Sequence, residues 1–208
     1  MTLPEVQRFL TDRLREPLPG PDVQRRFAPF PHRAGWRPDD RPAGARHAAA
    51  LVLLYPGAAG PTIPLTVRRA DLAHHPGQVS LPGGRLDPDE PPEIAALREA
   101  HEEIGVDVPH IRVIGALSTV WITVSNHVVW PFVATVDDRP AFRLATREVH
   151  ALIEVPLEEL RDRTRLRLDR RTRDGEPIDV PVLELGGQQV WGATAMILGE
   201  FGALFTWP

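Results

Sequence analysis

Residues 84–106 read GRLDPDEPPEIAALREAHEEIGV. Acids and prolines at 89–93 stand where a helix would begin, since proline suits a first turn. The pattern predicts a helix over about 91–104, with Gly105 as its C-terminal stop. At about 100° per residue, Ile94, Leu97, His101 and Ile104 share one face. That face is expected to be the packed one, with His101 a core or subunit-contact histidine. Glu99, Glu102 and Glu103 fall on the opposite side at i, i+3 and i+4. Three carboxylates on one turn repel, so the helix alone is destabilised by them. A hard divalent cation removes the repulsion, and Mg²⁺ or Mn²⁺ prefers oxygen ligands shared with phosphates. Arg98 carries a planar fork suited to holding a carboxylate, with Glu90 and Glu99 the candidates. A Glu-x-x-Glu-Glu turn by itself is commonly a solvated helix face. Gly84, Glu90, Arg98 and Gly105 at their spacings set this one apart.

The fixed points Gly84, Glu90, Arg98, Glu99, Glu102, Glu103 and Gly105, with apolar Ala100 and Val106, resemble the Nudix box, G-x5-E-x7-R-E-U-x-E-E-x-G-U, where U is apolar. Chance would produce that match in roughly one position per billion. The resemblance implies a Mg²⁺- or Mn²⁺-dependent hydrolase of nucleoside diphosphate derivatives, with Glu99, Glu102, Glu103 and the Gly83 carbonyl as metal ligands. It also implies an α/β (α+β) fold, an α/β/α sandwich around a mixed sheet. Upstream, residues 65–84 resemble the coenzyme A pyrophosphatase signature, L-L-T-x-R-[SA]-x3-R-x3-G-x3-F-P-G-G, through Leu65, Thr66, Arg68, Gly77, Pro82, Gly83 and Gly84. The subfamily likeness continues at Ser125-Asn126, at Arg147-Glu148-Val149 and at 191–195. It points to CoA or an acyl-CoA as substrate, with Arg68, Arg69, Gly77 and Gln78 as its contacts. Four positions depart from the signature: Pro64 for the first Leu and Leu81 for Phe are mild swaps, whereas Arg69 fills the small-residue slot and Ala73 replaces the second arginine. Ala73 cannot make a charge-assisted bond to a phosphorylated nucleoside. ADP-ribose, a nucleotide sugar or a dinucleoside polyphosphate is therefore the alternative substrate. A module that senses a nucleotide without cleaving it is the rival from another class. Glu148, outside the box, is a candidate general base, with a surface glutamate as the plain alternative. Trp121 and Trp130 are candidates for stacking on a base, against the commoner reading of packing. The adjacent His74 and His75 suit structure or substrate contact better than an all-oxygen metal site.

The 208 residues suffice for one domain with a substantial core. We expect an N-terminal part over 1–46, a first helix at 4–15 and then a Pro/Arg-rich extended connection over 17–46, followed by the hydrolase domain over 47–208. Net charge is −4, which gives no electrostatic case for nucleic acid or an anionic membrane. Cysteine is absent, so disulfides and thiolate chemistry are excluded. No apolar run has signal-peptide or membrane-spanning length, and a cytosolic protein is expected. A homodimer is the expectation that comes with the family. Short apolar runs predict strands at 48–55, 62–68, 79–82, 111–121, 128–136 and 151–155. A short helix follows at 156–162. A hairpin at 164–168 and 180–185 turns around Arg173-Asp174-Gly175, with a last strand at 189–191 and a closing helix at 193–205.

Overall fold

The computed structural model describes residues 1–71 and 77–205. Strand β1 (Arg46–Gly57) is the axis of the molecule, and its central residues are buried on both faces. Ala49, Leu51 and Leu53 point into one hydrophobic cluster, Ala50, Val52 and Leu54 into the other. A continuous apolar run is what a strand covered on both sides requires. Strand β2 (Gly60–Arg68) returns antiparallel to β1. Strands β3 (Val79–Ser80) and β4 (Gly83–Arg85) then pair with β2 and β1 respectively.

Helix α3, the acidic one, spans Pro92–Ile104 and lies against β1. It is preceded in the chain by α1 (Leu3–Arg13) and α2 (Gly20–Arg26). After α3 come β5 (Arg112–Ala116), β6 (Val120–Ile122) and β7 (His127–Thr135). Strand β7 runs parallel to β1 from Arg46↔His127 to Leu54↔Thr135, which makes the sheet mixed. Strand β8 (Val149–Pro156) pairs antiparallel with β2 and leads into α4 (Leu157–Arg161). Strands β9 (Leu166–Arg173), β10 (Glu176–Leu185) and β11 (Gln188–Val190) form a second, antiparallel sheet. The closing helix α5 (Ala193–Ala203) packs with α1 and α2 on the face of the main sheet opposite α3. The architecture is the expected α/β/α sandwich.

Three expectations need correction. The segment 17–46 is not wholly extended, because α2 lies within it and packs on α5. Leu3, Val6 and Leu10 of α1 and Phe27 after α2 enter the same core cluster as the sheet. The predicted strand 111–121 is two strands, and β5 carries a bulge between Val113 and Gly115. A side chain at Gly115 would press on Leu14 at the end of α1. The β9–β10 hairpin is longer than predicted, since Arg173 and Glu176 already pair across Asp174-Gly175. Both turn residues have positive φ, 56° and 84°, the twist a two-residue hairpin demands. Among the described residues no helix is long and apolar enough to cross a membrane.

Candidate functional site

Helix α3 sits on the sheet through a face rotated from the expected one. Its buried residues are Ala95, Ala96, Ala100, Glu103 and Ile104, while Ile94 is 52% exposed. Ala95, Ala96 and Ala100 are the fully buried residues that meet Ala49, Leu51 and Leu53 of β1, Leu97 packs at the edge of that cluster, and the bulkier Ile94 is turned out. Small side chains let the helix axis approach the strand closely, and that close seat wins over the larger apolar area. His101 is exposed, and its Nδ1 lies 2.8 Å from the Val106 carbonyl, so it is no core residue. Gly105 closes the helix at φ 70°, where an added side chain would collide with Arg143.

The rotation carries Glu103 into the interior. Its side chain is 5% exposed, and its carboxylate accepts the Gly83 N–H at 3.2 Å. The nearest cation is Arg68, with Nη1 3.9 Å from Oε1. Burial pushes the Glu103 carboxyl up to about 7; the Gly83 bond and Arg68 oppose this, and the charges of Glu99 and Glu148 add to it. Glu99 is raised as well, first by burial and then by Glu102 and Glu148, against the pull of Arg98. The two glycines explain the seat. A side chain at Gly84 would overlap the Glu99 carboxylate, and one at Gly83, where φ is 157°, would overlap the backbone of β1 at Ala49 and Ala50.

Arg98 gathers the remaining acids. Its Nε and Nη2 donate to the two Glu90 oxygens at 2.8 and 2.9 Å, a bidentate fork. Nη1 donates to Glu99 at 3.0 Å and Glu102 at 3.2 Å, and Nη2 also reaches the Arg85 carbonyl at 3.0 Å. The Arg98 fork, helped by the Asp87 N–H, holds the Glu90 carboxyl down at about 2. Glu102 is 57% exposed. Glu148 stands exposed just before β8, close enough for its charge to act on Glu99 and Glu103.

The predicted substrate contacts separate. Arg68 and Gln78 line a cavity of about 550 Å³ that also reaches Gly83. Arg69 instead forks onto Asp71 at 2.8 and 2.7 Å and donates to the Thr146 carbonyl. Gly77 is an exposed turn residue at φ 68° and lines a shallower surface hollow with Gln78. Ala73, His74 and His75 lie outside the described residues. Trp121 lines the main cavity, but Trp130 is packed elsewhere, its indole N–H 3.0 Å from His47 Nδ1 and Arg41 over its ring. Two further tryptophans, Trp36 and Trp191, line the cavity together with Ala28, Pro29, His32 and Arg33 of the N-terminal segment. Sequence reasoning missed that wall. A tryptophan within a polar, proline-rich stretch was the available signal, because so large an apolar surface needs something to pack on.

Among the described residues no three His, Asp or Glu side chains already converge on one point. Arg98 holds Glu99 and Glu102 to one side. The donors nonetheless fit a hard divalent cation: all are oxygen, and two of them are carboxylates raised by burial and like charge, a penalty that a cation relieves.

A protein-family model described as NUDIX domain matches residues 45–175. Relatives at the sequence level include the "Uncharacterized Nudix hydrolase NudL" of Yersinia enterocolitica, 35% identical over 168 residues, covering 78% of this chain and 83% of the relative. The protein of the same name from Yersinia pestis is 36% identical over 139 residues, covering 66% and 69%. Among solved structures, a MutT/nudix family protein from Enterococcus faecalis aligns with a TM-score of 0.51 at 14% identity, covering 80% of this chain and 64% of that one. The MutT protein from Methanosarcina mazei Go1 aligns at 0.50 and 17% identity, covering 80% and 100%. At these identities the solved structures speak to the fold alone.

Proposed function

Because the chain belongs to the Nudix family, we propose that this hydrolase cleaves the diphosphate of CoA or an acyl-CoA, giving 3′,5′-ADP and (acyl-)4′-phosphopantetheine. The observation that carries the reading is the position of Glu103. It is a buried carboxylate, raised to about 7, in contact with Gly83 and Arg68, both of which line a large cavity. Glu99, Glu102 and Glu103, with the Gly83 carbonyl, are the groups that would hold Mg²⁺ or Mn²⁺. The ion would neutralise charge on the phosphoryl oxygens and acidify an attacking water.

The chain's own residues do the rest. Arg68 has a buried Nε–H without a hydrogen-bond partner among the described residues, which suits it to a phosphoryl oxygen of the substrate. Arg98 fixes the directions of Glu99 and Glu102 by bonding both from one nitrogen, while its fork on Glu90 keeps the guanidinium itself in place. Glu148 acts on the same cluster from the residue before β8, and it or one of the α3 glutamates takes the water's proton as general base. Water oxygen bonds to phosphorus, the bond to the bridging oxygen breaks, and two phosphate monoesters leave. Charge neutralisation and positioning supply most of the acceleration. In this reading the enzyme is a cytosolic homodimer; light scattering that returned a monomer would remove the second part.

ADP-ribose, nucleotide sugars and dinucleoside polyphosphates remain the second reading, motivated by Ala73 in the signature arginine slot. Product analysis decides between them. The pure protein is incubated with Mg²⁺ or Mn²⁺ and CoA, ADP-ribose or a diadenosine polyphosphate at equal concentration. We expect 3′,5′-ADP from CoA to appear fastest. Cleavage of the other two with CoA untouched would replace the substrate and keep the chemistry. No turnover of any diphosphate would favour a sensing module.

A further inference from the structure

The main cavity is electrostatically one-sided. Arg33, Arg68 and Arg173 line it, together with His32, and among the described residues none of its lining is Asp or Glu. This occurs in a chain of net charge −4, so the bias is local. The arginines also fall at two places. Arg68 stands beside Glu103, 3.9 Å away. Arg33 and Arg173 come from the N-terminal segment and the tip of the β9–β10 hairpin. Trp36, Trp121 and Trp191 line the same cavity, with Val79, Ile122 and Met196 among the remaining lining residues.

The Arg33 and Arg173 pair is held in place by backbone bonds. Phe30 and Asp179 exchange N–H···O bonds at 2.8 Å in both directions, which staples the N-terminal segment to β10. Arg173 donates from Nη2 to the Pro31 carbonyl at 2.7 Å, two residues before Arg33. Among the described residues Arg33 pairs with Asp174, 3.6 Å away and 79% exposed. An exposed pair at that distance contributes little and yields readily to a dianion. A phosphate monoester carries close to two charges and several acceptor oxygens, which two guanidiniums on separate elements can share.

We propose that Arg33 and Arg173 form an anion subsite for a second phosphate on the substrate, one carried by the nucleoside rather than by the hydrolysed diphosphate. The tryptophan-lined wall then receives the base, and Arg68 meets the diphosphate. The N-terminal segment is thus a specificity element: it selects a 3′-phosphorylated nucleotide over its unphosphorylated counterpart. This inference rests on the diphosphohydrolase reading and refines its substrate.

The test measures binding and turnover separately on the full chain. Calorimetry compares 3′,5′-ADP with 5′-AMP, and initial rates compare CoA with dephospho-CoA. We expect 3′,5′-ADP to bind at least about tenfold more tightly than AMP. Arg33→Ala and Arg173→Ala together should abolish that preference and leave AMP binding unchanged. The same pair should raise KM for CoA about tenfold with kcat within about twofold, and leave dephospho-CoA unaffected. Arg33→Ala alone keeps both the Phe30–Asp179 staple and the Arg173–Pro31 bond, and should show most of the effect even if the double variant loosens the segment. Equal affinity for the two nucleotides in the wild type would overturn the subsite. So would an equal loss of both ligands in Arg33→Ala, or weaker binding of 4′-phosphopantetheine in place of 3′,5′-ADP. Selective 3′,5′-ADP binding without CoA cleavage would instead support the subsite and refute the hydrolytic reading.

Discussion

Glu103 and Glu200 are buried carboxylates on helices that cover opposite faces of one sheet, and burial raises both. Their surroundings differ in kind. Glu200 accepts from Gln24 Nε2 at 2.7 Å and from the Ser118 N–H at 3.2 Å, and the same Gln24 nitrogen reaches the Ser118 carbonyl. Neutral donors close around it and tie α2 to α5 and to the chain after β5. Glu103 has one N–H donor, a cation at 3.9 Å, and the charges of Glu99 and Glu148 against it. It also sits where Arg68 and Gly83 open to a cavity. Burial therefore does not mark a site. What marks this one is a buried carboxylate left with like-charged neighbours and an open side.

The comparison is broken most directly by exchanging each acid for its amide. Glu103→Gln should lower metal-dependent turnover about 10³-fold or more, with the circular dichroism spectrum unchanged. Glu200→Gln should keep turnover within about threefold at a temperature where it is folded. Equal losses in initial-rate assays would mean that both acids act through the fold.

Stability should reverse the order. Glu200→Ala removes an acceptor shared by two interior donors and should cost about 3 kcal/mol in urea unfolding. Glu103→Ala in metal-free protein should cost clearly less, because it also removes a destabilising charge. A larger loss at Glu103 would contradict the contrast.

The same charge gives a pH dependence. Glu103 moves from 4.5 to about 7 on folding, so between those values the folded state binds more protons than the unfolded state. Stability contributed by the protonated carboxyl is then present at low pH and is lost as pH rises through about 7. Metal-free wild type should lose about 3 kcal/mol relative to Glu103→Gln between pH 4.5 and 7, and nothing further above that. Thermal melts at several pH values check it; a flat difference would remove the assigned shift. The smallest effect sharpens the Glu200 side. A side chain at Gly199, one turn position away, would overlap the Phe27 ring. Gly199→Ala should cost about 1–3 kcal/mol by overpacking and disturb the N-terminal segment before it disturbs α3. Activity loss without a lower melting temperature would speak against that packing account.

The site was legible in the sequence where chemistry dictates spacing. Gly84, Glu90, Arg98, Glu99, Glu102, Glu103 and Gly105 could be read because the carboxylates, their arginine clamp and the glycine stop all lie within one helix and its entry loop. The helix face was not legible. Periodicity puts Ile94 and His101 on the packed face with Leu97 and Ile104; Ile104 is buried and Leu97 packs at the edge, but packing favours Ala96 and Ala100 over Ile94, and only the sheet opposite decides between them. Helix α2 is seven residues long and begins among Pro19, Gly20 and Pro21, so loop signals masked it. Asp22 in its first turn and Arg25 and Arg26 in its last complement the helix dipole and were a usable clue. Of the cavity wall only Trp36 gave a local hint, and its assembly could not be read. It depends on Phe30 meeting Asp179, residues far apart in the chain, and no local pattern encodes that pairing.

The most direct test of the central claim is a Mn²⁺ titration of the full-length protein at pH 8, with free ion measured by electron paramagnetic resonance. We predict saturable binding in the wild type and in Glu200→Gln, and at least tenfold weaker binding in Glu103→Gln. Equal Mn²⁺ affinity in the wild type and Glu103→Gln would contradict the assignment of the buried α3 carboxylate to the ion.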